Sequence, residues 1–363
     1  MGRGQHRSSD VLVIGPDISA IGGISTYSAM LPRAIGNHAP THLSVWAPGR
    51  AQSSGWGWRD TRYHLGLLGK VARQSRRVAV VHVMVTSRPT ALARELSVIL
   101  IARASGGNVL GHFHGSKWAV NGRRSALYRA MLRSTLHLIN AGAVLSAAQR
   151  DDLVAFNPAT EKKLAVLDNP VSDSYFGIRD ARKVKGTFRV LCLGEVGQNK
   201  GQLELMEVVN SSGAPIQLVL AGPVAPGVKA KFDQALSRSK RTRYVGLVRG
   251  EELLTLFRET DCYCLFSSAE AMPISILEAM AAGVPVVATD VGAVPSVVTP
   301  ETGVIIAAGD RVALARALDR LQGDRRLCAS MGVHATNMAR ARFSLEEHVE
   351  KLSAIYDDIA KAS

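Results

Sequence analysis

The chain has 363 residues, of which 47% are hydrophobic and 20% charged, and it carries a formal net charge of +14. This length predicts two domains with a core each, and the composition excludes a disordered chain. No apolar run reaches the ~20 residues of a membrane span, and the polar N-terminal residues do not resemble a signal peptide, so a cytoplasmic location is expected.

The positive charge is concentrated in one segment. Residues 59–133 hold 14 basic and 2 acidic side chains, whereas residues 177–363 hold 23 and 21. Such a segment predicts a basic face that attracts anionic lipid, a polyphosphate-linked acceptor or nucleic acid. The alternative is a set of solvated arginines that keep the protein soluble.

The first half alternates apolar runs with amphipathic stretches, which is typical of a parallel sheet covered by helices. Strands are predicted over residues 10–15, 41–47, 79–85 and 109–113. Helices are predicted over residues 26–35, 59–77, 89–104 and 147–156, and residues 117–136 are partly helical. The basic, amphipathic stretch 59–77 fits a helix against the core or one on a membrane surface.

Two loops of this half lie where a ligand could bind. Gly22 and Gly23 follow the first strand, where they form a turn or let the backbone approach a ligand. His114 follows the strand 109–113, at the carboxyl end that faces the ligand crevice of parallel sheets. It is either a ligand contact or a structural histidine, and the weaker candidate His112 is assigned to the opposite pleat.

The second half repeats the alternation. Strands are predicted over residues 188–193, 216–222, 262–266 and 284–288. Helices are predicted over residues 202–209, 251–259, 274–282, 312–322 and 327–339, before a last helix that has Ser344 as its N-cap and Glu347 three residues on. The four cysteines, Cys192, Cys262, Cys264 and Cys328, fit no zinc pattern and indicate reduced thiols in a core.

The stretch Asp261–Val298 predicts strand, loop, short helix and strand. Pro273 suits the first helical position, because an N–H group at that position would make no hydrogen bond within the helix. The backbone N–H groups of Ile274, Ser275 and Ile276 then lack intrahelical partners, and the helix dipole adds partial positive charge. Such a helix start binds phosphate well.

Two carboxylates flank this helix start, Glu270 in the loop and Glu278 one turn into the helix. Carboxylates repel a diphosphate, so we expect them to accept hydrogen bonds from hydroxyl groups on either side of it. A nucleotide-sugar has this layout, because its diphosphate lies between sugar hydroxyls and ribose hydroxyls.

Glu270 and Glu278, eight positions apart and followed by Ala-Met-Ala-Ala-Gly-Val-Pro-Val-Val-Ala, resemble the Glu-x7-Glu signature of glycosyltransferase family 4. The resemblance is sharpest over residues 261–298, although it spans most of the chain. It implies the α/β GT-B fold, in which two Rossmann-like domains with parallel sheets face a central cleft. It also implies a retaining transferase that moves a hexose from a UDP or GDP sugar to a lipid-linked or polysaccharide acceptor.

The resemblance assigns roles to residues that match the family's motifs. Catalysis falls to His114, Glu270 and Lys200. Donor binding falls to Gly22, Gly23, Lys200, Leu247, Val248, Arg249, Ile274, Ser275, Ile276 and Glu278. No Asp-x-Asp metal motif is present, so the enzyme is expected to need neither a metal ion nor another cofactor, and no nucleic-acid partner is expected.

Residues 167–176 resemble the family's interdomain linker, and the polar residues 177–186 follow this segment. The predicted domains are therefore an acceptor-binding domain at 1–176, a nucleotide-sugar domain at 177–342, and a final helix at 343–363 that returns to the first domain. The expected location is cytoplasmic, with a peripheral place on the inner face of the plasma membrane and a role in bacterial cell-envelope or exopolysaccharide synthesis.

Two positions depart from the family pattern. Glu195 stands where an arginine commonly contacts phosphate, so Arg249 is considered as a substitute cation, and Ser296 stands where glutamate is common. Two other function classes stay open. One is a different GT-B enzyme, such as a nucleotide-sugar epimerase, and the other is a non-enzymatic binder of anionic polymer.

Overall fold

The computed structural model describes residues 8–31, 35–45, 57–178 and 186–362. The chain folds into two compact units. The first runs to Asn169 and takes in the chain again from Glu346, and the second spans Pro170–Leu345. Each unit is built on a sheet whose strand pairs are parallel.

The sheet of the first unit has six strands within the described residues, in the order β2-β1-β3-β4-β5-β6. The strands are β1 (Ser8–Gly15), β2 (Ala39–Ser44), β3 (Val78–Val85), β4 (Val109–Phe113), β5 (Ala141–Val144) and β6 (Leu164–Val166). The helices up to this point are α1 (Gly23–Met30), α2 (Trp58–Gln74), α3 (Pro89–Ala104), α4 (Trp118–Arg124), α5 (Ala126–Leu138) and α6 (Ala147–Phe156). β3 is rich in β-branched residues and buried along nearly its whole length, as expected of a central parallel strand.

The sheet of the second unit has six strands within the described residues, in the order β12-β11-β10-β7-β8-β9. The strands are β7 (Phe188–Leu193), β8 (Ile216–Ala221), β9 (Thr242–Tyr244), β10 (Cys262–Leu265), β11 (Val286–Thr289) and β12 (Gly303–Ile306). The helices are α7 (Gln202–Ser211), α8 (Lys229–Arg238), α9 (Gly250–Arg258), α10 (Ile274–Ala281), α11 (Val294–Val297), α12 (Arg311–Gly323) and α13 (Arg325–Phe343). The predicted α/β class with two Rossmann-like parallel sheets is therefore confirmed.

The cores follow from strand alternation. Phe188, Val190 and Cys192 project from β7 into the same apolar cluster as Cys262 and Cys264 from β10. Residues two apart on a strand share a face, so the spacing of Cys262 and Cys264 explains why both thiols lie in the same core. Burying each large apolar side chain contributes roughly 1.5–3 kcal/mol.

The last helix, α14 (Leu345–Lys361), packs on the first unit. His348 Nε2 hydrogen bonds the Tyr27 hydroxyl at 3.0 Å, and the Tyr356 hydroxyl bonds His82 Nδ1 at 2.7 Å. His38 Nε2 pairs with Asp357 at 2.9 Å. The chain end thus joins this unit through buried polar contacts.

The units divide at a different point from the predicted boundary at 176. Residues 170–176 belong to the second unit, where Val171 N donates to Phe343 O at 2.8 Å. The Tyr175 hydroxyl also bonds Glu278 of that unit at 2.9 Å. The segment that resembles a linker is thus part of the second unit.

Two local predictions are wrong at their ends, those for α1 and β2, and the partly helical stretch 117–136 is now defined in detail. α1 ends at Met30 instead of 35, because Leu31 precedes a proline and is extended, with φ −61° and ψ 123°. The stretch 117–136 forms two helices, since Ser125 is extended and caps α5 by accepting from Tyr128 N. β2 ends at Ser44, and residues 46–47 of its predicted range lie outside the described residues.

Candidate functional site

The strand order of the second unit creates a switch point. β10 and β8 flank β7 on opposite sides, so the chain leaves β7 and β10 in opposite directions along the sheet. In open parallel sheets, ligands bind outside the carboxyl ends of the strands at such a point. The loop after β7 carries Lys200, and the loop after β10 carries Glu270.

These two loops are held together by their backbones. Ser268 N donates to Asn199 O at 2.9 Å. A Cβ added to Gly201 would lie 2.0 Å from Phe266 O, and Gly201 has φ +69° at the start of α7. Glycine is required here, both for the left-handed backbone and for the close approach of the loops.

Lys200 and Glu270 form an ion pair across these loops. The Lys200 Nζ lies 2.7 Å from Glu270 Oε1, and the side chains are 34% and 11% exposed. Sequence resemblance assigned both residues to catalysis and Lys200 also to donor binding, and the structure places the two side chains in contact. An ammonium has three donor hydrogens, so this contact leaves Lys200 with capacity for another anion.

The Glu270 loop is supported on its other side by the turn after β11. A Cβ at Gly292 would lie 2.0 Å from Glu270 O, and Gly292 has φ +58°. Ala293 N donates to Ala271 O at 2.7 Å. The Asp290-Val-Gly part of the motif therefore holds the loop that presents Glu270.

The helix that follows begins at Ile274, and Pro273 is its N-cap residue instead of its first helical residue. Ile276 N reaches Pro273 O at 3.1 Å, while the side chain of Ser275 accepts from the Tyr263 hydroxyl at 2.7 Å. The correction moves the helix start by one residue. The expectation that Ile276 N–H lacks an intrahelical partner is wrong, because it donates to Pro273 O, so the candidate anion-binding groups are the N–H groups of residues 274 and 275. Their orientation at the helix start is suited to an anion.

Glu278 lies one turn further along α10 and is 8% exposed. Its Oε1 accepts from the Tyr175 hydroxyl at 2.9 Å. Burial raises the pKa of Glu278 to about 7, and the hydrogen bond from Tyr175 opposes this rise. The sequence did not identify Tyr175, although the aromatic pair Tyr-Phe at the end of the linker-like segment is a usable signal.

The loops after β8 and β9 extend the edge of the sheet. Gly222 N donates to Gly246 O at 2.7 Å, and Gly246 precedes Leu247, Val248 and Arg249. Leu247 is 48% exposed, and Arg249 is exposed as the residue before α9. The predicted base contact of these three residues stays a prediction.

Glu195 is exposed, and Gly194 before it has φ +133°. The backbone around it is fixed, because Gly194 N donates to Ala221 O at 2.9 Å and Gln202 Nε2 reaches Glu195 O at 3.1 Å. The carboxylate therefore projects from a rigid loop, on the same strand edge as Lys200.

In the first unit, Gly22 and Gly23 lie at the start of α1. Gly22 has φ +142°, and its carbonyl accepts from Thr26 N at 2.9 Å. A Cβ on either glycine would meet no atom within 4 Å. The backbone of Gly22 requires glycine, and the open space beside it is compatible with a ligand.

His114 follows β4, and its N donates to Val85 O at 2.8 Å. The residue is half-buried, and its ring lies 5.1 Å from that of Tyr27, measured between centroids. Burial lowers the pKa of His114 to about 3, so its imidazole is neutral near pH 7. Nε2 of His114 is buried and has no hydrogen-bond partner among the described residues.

The assignment of His112 to the opposite pleat is wrong. Its ring centroid lies 4.0 Å from that of His114, because strand residues two apart point the same way. His112 is fully buried, and its Nδ1 lies 3.2 Å from His82 Nε2. The sequence already contained this signal in the His-Phe-His spacing.

The lysine and arginine residues of the basic segment 59–133 are mostly exposed in the first unit. Arg94 is an exception at 7% exposed, next to the buried Glu95 at 3.7 Å. Several other arginines donate hydrogen bonds to backbone carbonyls. Arg76 Nε donates to Ser105 O at 2.8 Å, and Arg133 Nε donates to Phe156 O at 3.0 Å. Large apolar side chains are exposed on the same helices, with Trp58 at 75%, Leu65 at 61% and Leu127 at 71%.

Among the helices of the described ranges, none combines the length and hydropathy that a membrane crossing requires. In the same ranges, no three His, Cys, Asp or Glu side chains converge as metal ligands would. The expectation of metal independence stays a prediction.

Comparisons with known proteins show that much of the second unit is similar to sugar transferases. Residues 177–338 match the family described as glycosyl transferases group 1. A mannosyltransferase of lipopolysaccharide core biosynthesis, LpcC from Rhizobium leguminosarum, is 32% identical over 189 residues, 49% of this chain and 53% of that protein. The capsular polysaccharide biosynthesis glycosyltransferase CapM from Staphylococcus aureus is 23% identical over 60% of this chain and 62% of its own length. The chain thus spans about half the length of the first of these relatives.

Solved structures are similar over nearly the whole chain. HepE from Anabaena in complex with UDP has a TM-score of 0.76 at 15% identity, covering 96% of this chain and 100% of that one. Sucrose-phosphate synthase from Thermosynechococcus elongatus has a TM-score of 0.75 at 17% identity, covering 98% and 100%. The chain therefore has the GT-B fold, and its residues 177–338 are similar to glycosyl transferases group 1.

Proposed function

We propose that this protein is a retaining glycosyltransferase that moves a hexose from a nucleoside-diphosphate sugar to an acceptor hydroxyl. The observation that carries the proposal is the ion pair of Lys200 with Glu270 at the switch point of the second unit, in the loop that leads into α10. A cation, a helix start and two hydroxyl-binding carboxylates match the parts of a nucleotide-sugar in order.

In the proposed reaction, the bond between the anomeric carbon and the diphosphate breaks, the acceptor oxygen forms the new glycosidic bond, and the proton of the acceptor hydroxyl passes to the leaving diphosphate. The leaving diphosphate gains negative charge, which Lys200 and the α10 backbone N–H groups stabilise. Glu270 binds hydroxyls of the transferred sugar, and Glu278 binds the ribose. These are neutral partners, so neither carboxylate faces the phosphates.

Lys200 has to serve the diphosphate while it pairs with Glu270. Its three donor hydrogens allow it to bridge a carboxylate and a phosphate oxygen at once. The ion pair then holds the ammonium in place before the donor arrives, which lowers the entropic cost of binding.

We propose UDP or GDP as the nucleotide and a lipid-linked or polysaccharide acceptor in bacterial envelope or exopolysaccharide synthesis. HepE is described in complex with UDP and with UDP-glucose, and LpcC and CapM are named for lipopolysaccharide core and capsular polysaccharide biosynthesis. We also propose that the reaction needs no metal ion, because protein groups neutralise the diphosphate.

The direct test is product formation. Purified protein is incubated with UDP- and GDP-sugars, with and without a lipid-linked or oligosaccharide acceptor, and the released nucleotide is measured with EDTA present. A transferase releases nucleotide when the acceptor is added, and it does so with EDTA. An epimerase changes the sugar without acceptor, and a non-enzymatic polymer binder shows no rise in melting temperature with any nucleotide-sugar.

The first unit is proposed to contact an anionic membrane at its basic, partly apolar helices. Exposed Trp58 and Leu65 on α2 and Leu127 on α5 stand among exposed arginines, a combination that suits a lipid surface. Flotation with vesicles containing anionic lipid should carry the protein upward at low salt and less so at high salt. No salt-sensitive flotation removes this part of the proposal.

A further inference from the structure

Tyr175 stands out among residues to which no role has been given. It belongs to the short segment that precedes residue 177, is 8% exposed, and lies in a 3₁₀ turn over Asp173–Tyr175. Its hydroxyl donates to Glu278 Oε1 at 2.9 Å, across 103 positions of sequence. A tyrosine hydroxyl can donate one hydrogen bond, and here a carboxylate oxygen accepts it.

The surroundings hold this contact rigidly. The Tyr175 ring meets Phe257 edge to face at 5.5 Å, and Phe257 packs on Tyr263 of β10 at 6.3 Å, both between ring centroids. The Tyr263 hydroxyl bonds Ser275, which lies one turn before Glu278 on the same face of α10. Two tyrosine hydroxyls therefore bond one face of the helix that starts the proposed donor site.

We propose that Tyr175 is a positioning residue for Glu278, which it holds as an oriented, ionised carboxylate ready to accept hydrogen bonds from the ribose. This inference rests on the proposed nucleotide-sugar site. A carboxylate fixed through one oxygen presents the other in a set direction, so the ribose hydroxyls meet an acceptor that needs no reorganisation.

The electrostatics agree with this geometry. Burial raises the pKa of Glu278 to about 7, and the Tyr175 hydrogen bond is the contact that lowers it. Glu278 is the one ionisable side chain on α10, and the groups that face it are Tyr175 and Tyr263 of β10. Arg340 of α13 stacks over the adjacent Phe176 at 4.4 Å. Removing the Tyr175 hydroxyl thus leaves burial to favour the protonated acid.

The experiment measures the affinity of wild type and Tyr175→Phe for UDP and GDP by calorimetry between pH 6 and 9. The 2′,3′-dideoxy forms of the same diphosphates are the matched probes, because they share the phosphates and lack the ribose hydroxyls. For wild type, the ratio of the two affinities should rise with pH through about 7. For Tyr175→Phe, the midpoint should move up by about one pH unit, and binding near pH 7 should weaken about fivefold, for the ribose form alone.

Two further variants separate this role from a structural one. Tyr263→Phe removes a neighbouring buried hydroxyl that bonds no carboxylate, so its midpoint should match wild type. Glu278→Gln removes the titration, so adding Tyr175→Phe to it should change the affinity little. The comparison in the Glu278→Gln protein still tests whether Tyr175 acts through Glu278 if Tyr175→Phe alone folds poorly.

The inference is overturned if Tyr175→Phe keeps the wild-type midpoint, or if it weakens both forms of the diphosphate equally. It is also overturned if Tyr175→Phe weakens ribose binding further in the Glu278→Gln protein. If wild type binds neither UDP nor GDP, the proposed function fails together with this inference. If wild type binds them and Tyr175→Phe has the same pH midpoint as wild type, the inference alone fails.

Discussion

The Lys200–Glu270 ion pair decides the chemistry of the proposed site, because it is the point where the loops after β7 and β10 meet. Lys200→Ala removes a charge-assisted hydrogen bond worth about 1.5–3 kcal/mol in the complex with a diphosphate. We expect kcat/KM for the nucleotide-sugar to fall roughly 10- to 100-fold. Steady-state kinetics with a saturating acceptor measures this loss.

Lys229→Ala is the matched control for this variant. Lys229 also forms an ion pair in the second unit, with Asp233 at 2.5 Å, but both side chains are more than half exposed on α8. Exposed pairs contribute little, so this variant should keep wild-type kinetics. A loss below twofold in Lys200→Ala contradicts the role given to Lys200.

The residues of the donor site could be predicted where a local motif carries them. Lys200, Glu270 and Glu278 were identified from short stretches of sequence, and the structure brings the first two into contact. Tyr175 could not be identified this way, because its contact with Glu278 joins segments 103 positions apart. His112 was misplaced through an error of strand parity, not through missing information.

At the scale of the element, the loop from β7 to α7 depends on a glycine at its end. Gly201→Ala places a Cβ 2.0 Å from Phe266 O and forces φ +69° on a residue with a side chain. We expect a loss of about 1–3 kcal/mol in the free energy of unfolding, with weaker nucleotide binding. Thermal unfolding with and without UDP or GDP measures both effects.

Gly213→Ala is the control for that glycine. Gly213 lies between α7 and β8, and a Cβ there would meet no atom within 4 Å. Its stability should be unchanged or slightly higher, because alanine reduces the freedom of the unfolded chain. Equal stability of the two variants would show that the loops tolerate a side chain at Gly201, against the geometry described above.

The last helix depends on buried polar contacts with the first unit. Tyr356→Phe leaves His82 Nδ1 without the hydroxyl that lies 2.7 Å away, in a fully buried position. An unsatisfied buried group costs about 1–3 kcal/mol, so the melting temperature should fall by several degrees. Chemical denaturation followed by circular dichroism checks this, and a wild-type midpoint would mean that the contact is replaced.

The bounds of the elements show where sequence reasoning succeeds. The elements Pro89–Ala104, Val109–Phe113, Ala147–Phe156 and Phe188–Leu193 match their predicted ranges. In these stretches, apolar periodicity and flanking turn residues agree. The end of α1 was missed, since a proline acts on the residue before it, and α8 and β12 have no counterpart in the prediction because their apolar patterns are short.

For the whole molecule, the buried imidazoles of the first unit predict how stability depends on pH. Burial lowers the pKa of His82 to about 3 and that of His348 to about 4. The unfolded chain therefore takes up protons first, so stability is full above pH 6.5 and is lost as the pH falls toward these values. Each group removes roughly 1.4 kcal/mol per pH unit within that window.

Glu95 acts in the opposite direction. Burial raises its pKa to about 7, so the folded state takes up this proton first and gains stability as the pH falls from about 7 to 4.5. Burial raises the pKa of Glu278 to about 7 as well, so two carboxyls act in this direction. The two carboxyls are outnumbered by at least four histidines whose pKa burial lowers, His82, His112, His114 and His348. We therefore expect the melting temperature to fall between pH 7.5 and pH 5 in calorimetry. Glu95→Gln should steepen that fall, and a constant or rising melting temperature would contradict the account.

The two-sheet architecture was foreseen from alternating strand and helix patterns, and the similar solved structures share it. The boundary between the units was not, because residues 170–176 read as a linker while their contacts belong to the second unit. Contacts between residues far apart in sequence decide which unit a segment belongs to, and a local sequence pattern does not show these contacts.

The most direct measurement is a crystal structure of the protein with UDP or GDP bound. The account predicts the diphosphate within hydrogen-bond distance of Lys200 Nζ and of the backbone N–H groups at residues 274 and 275, with the ribose at Glu278. A diphosphate bound elsewhere on the chain, with the switch point of the second unit left empty, would contradict the account.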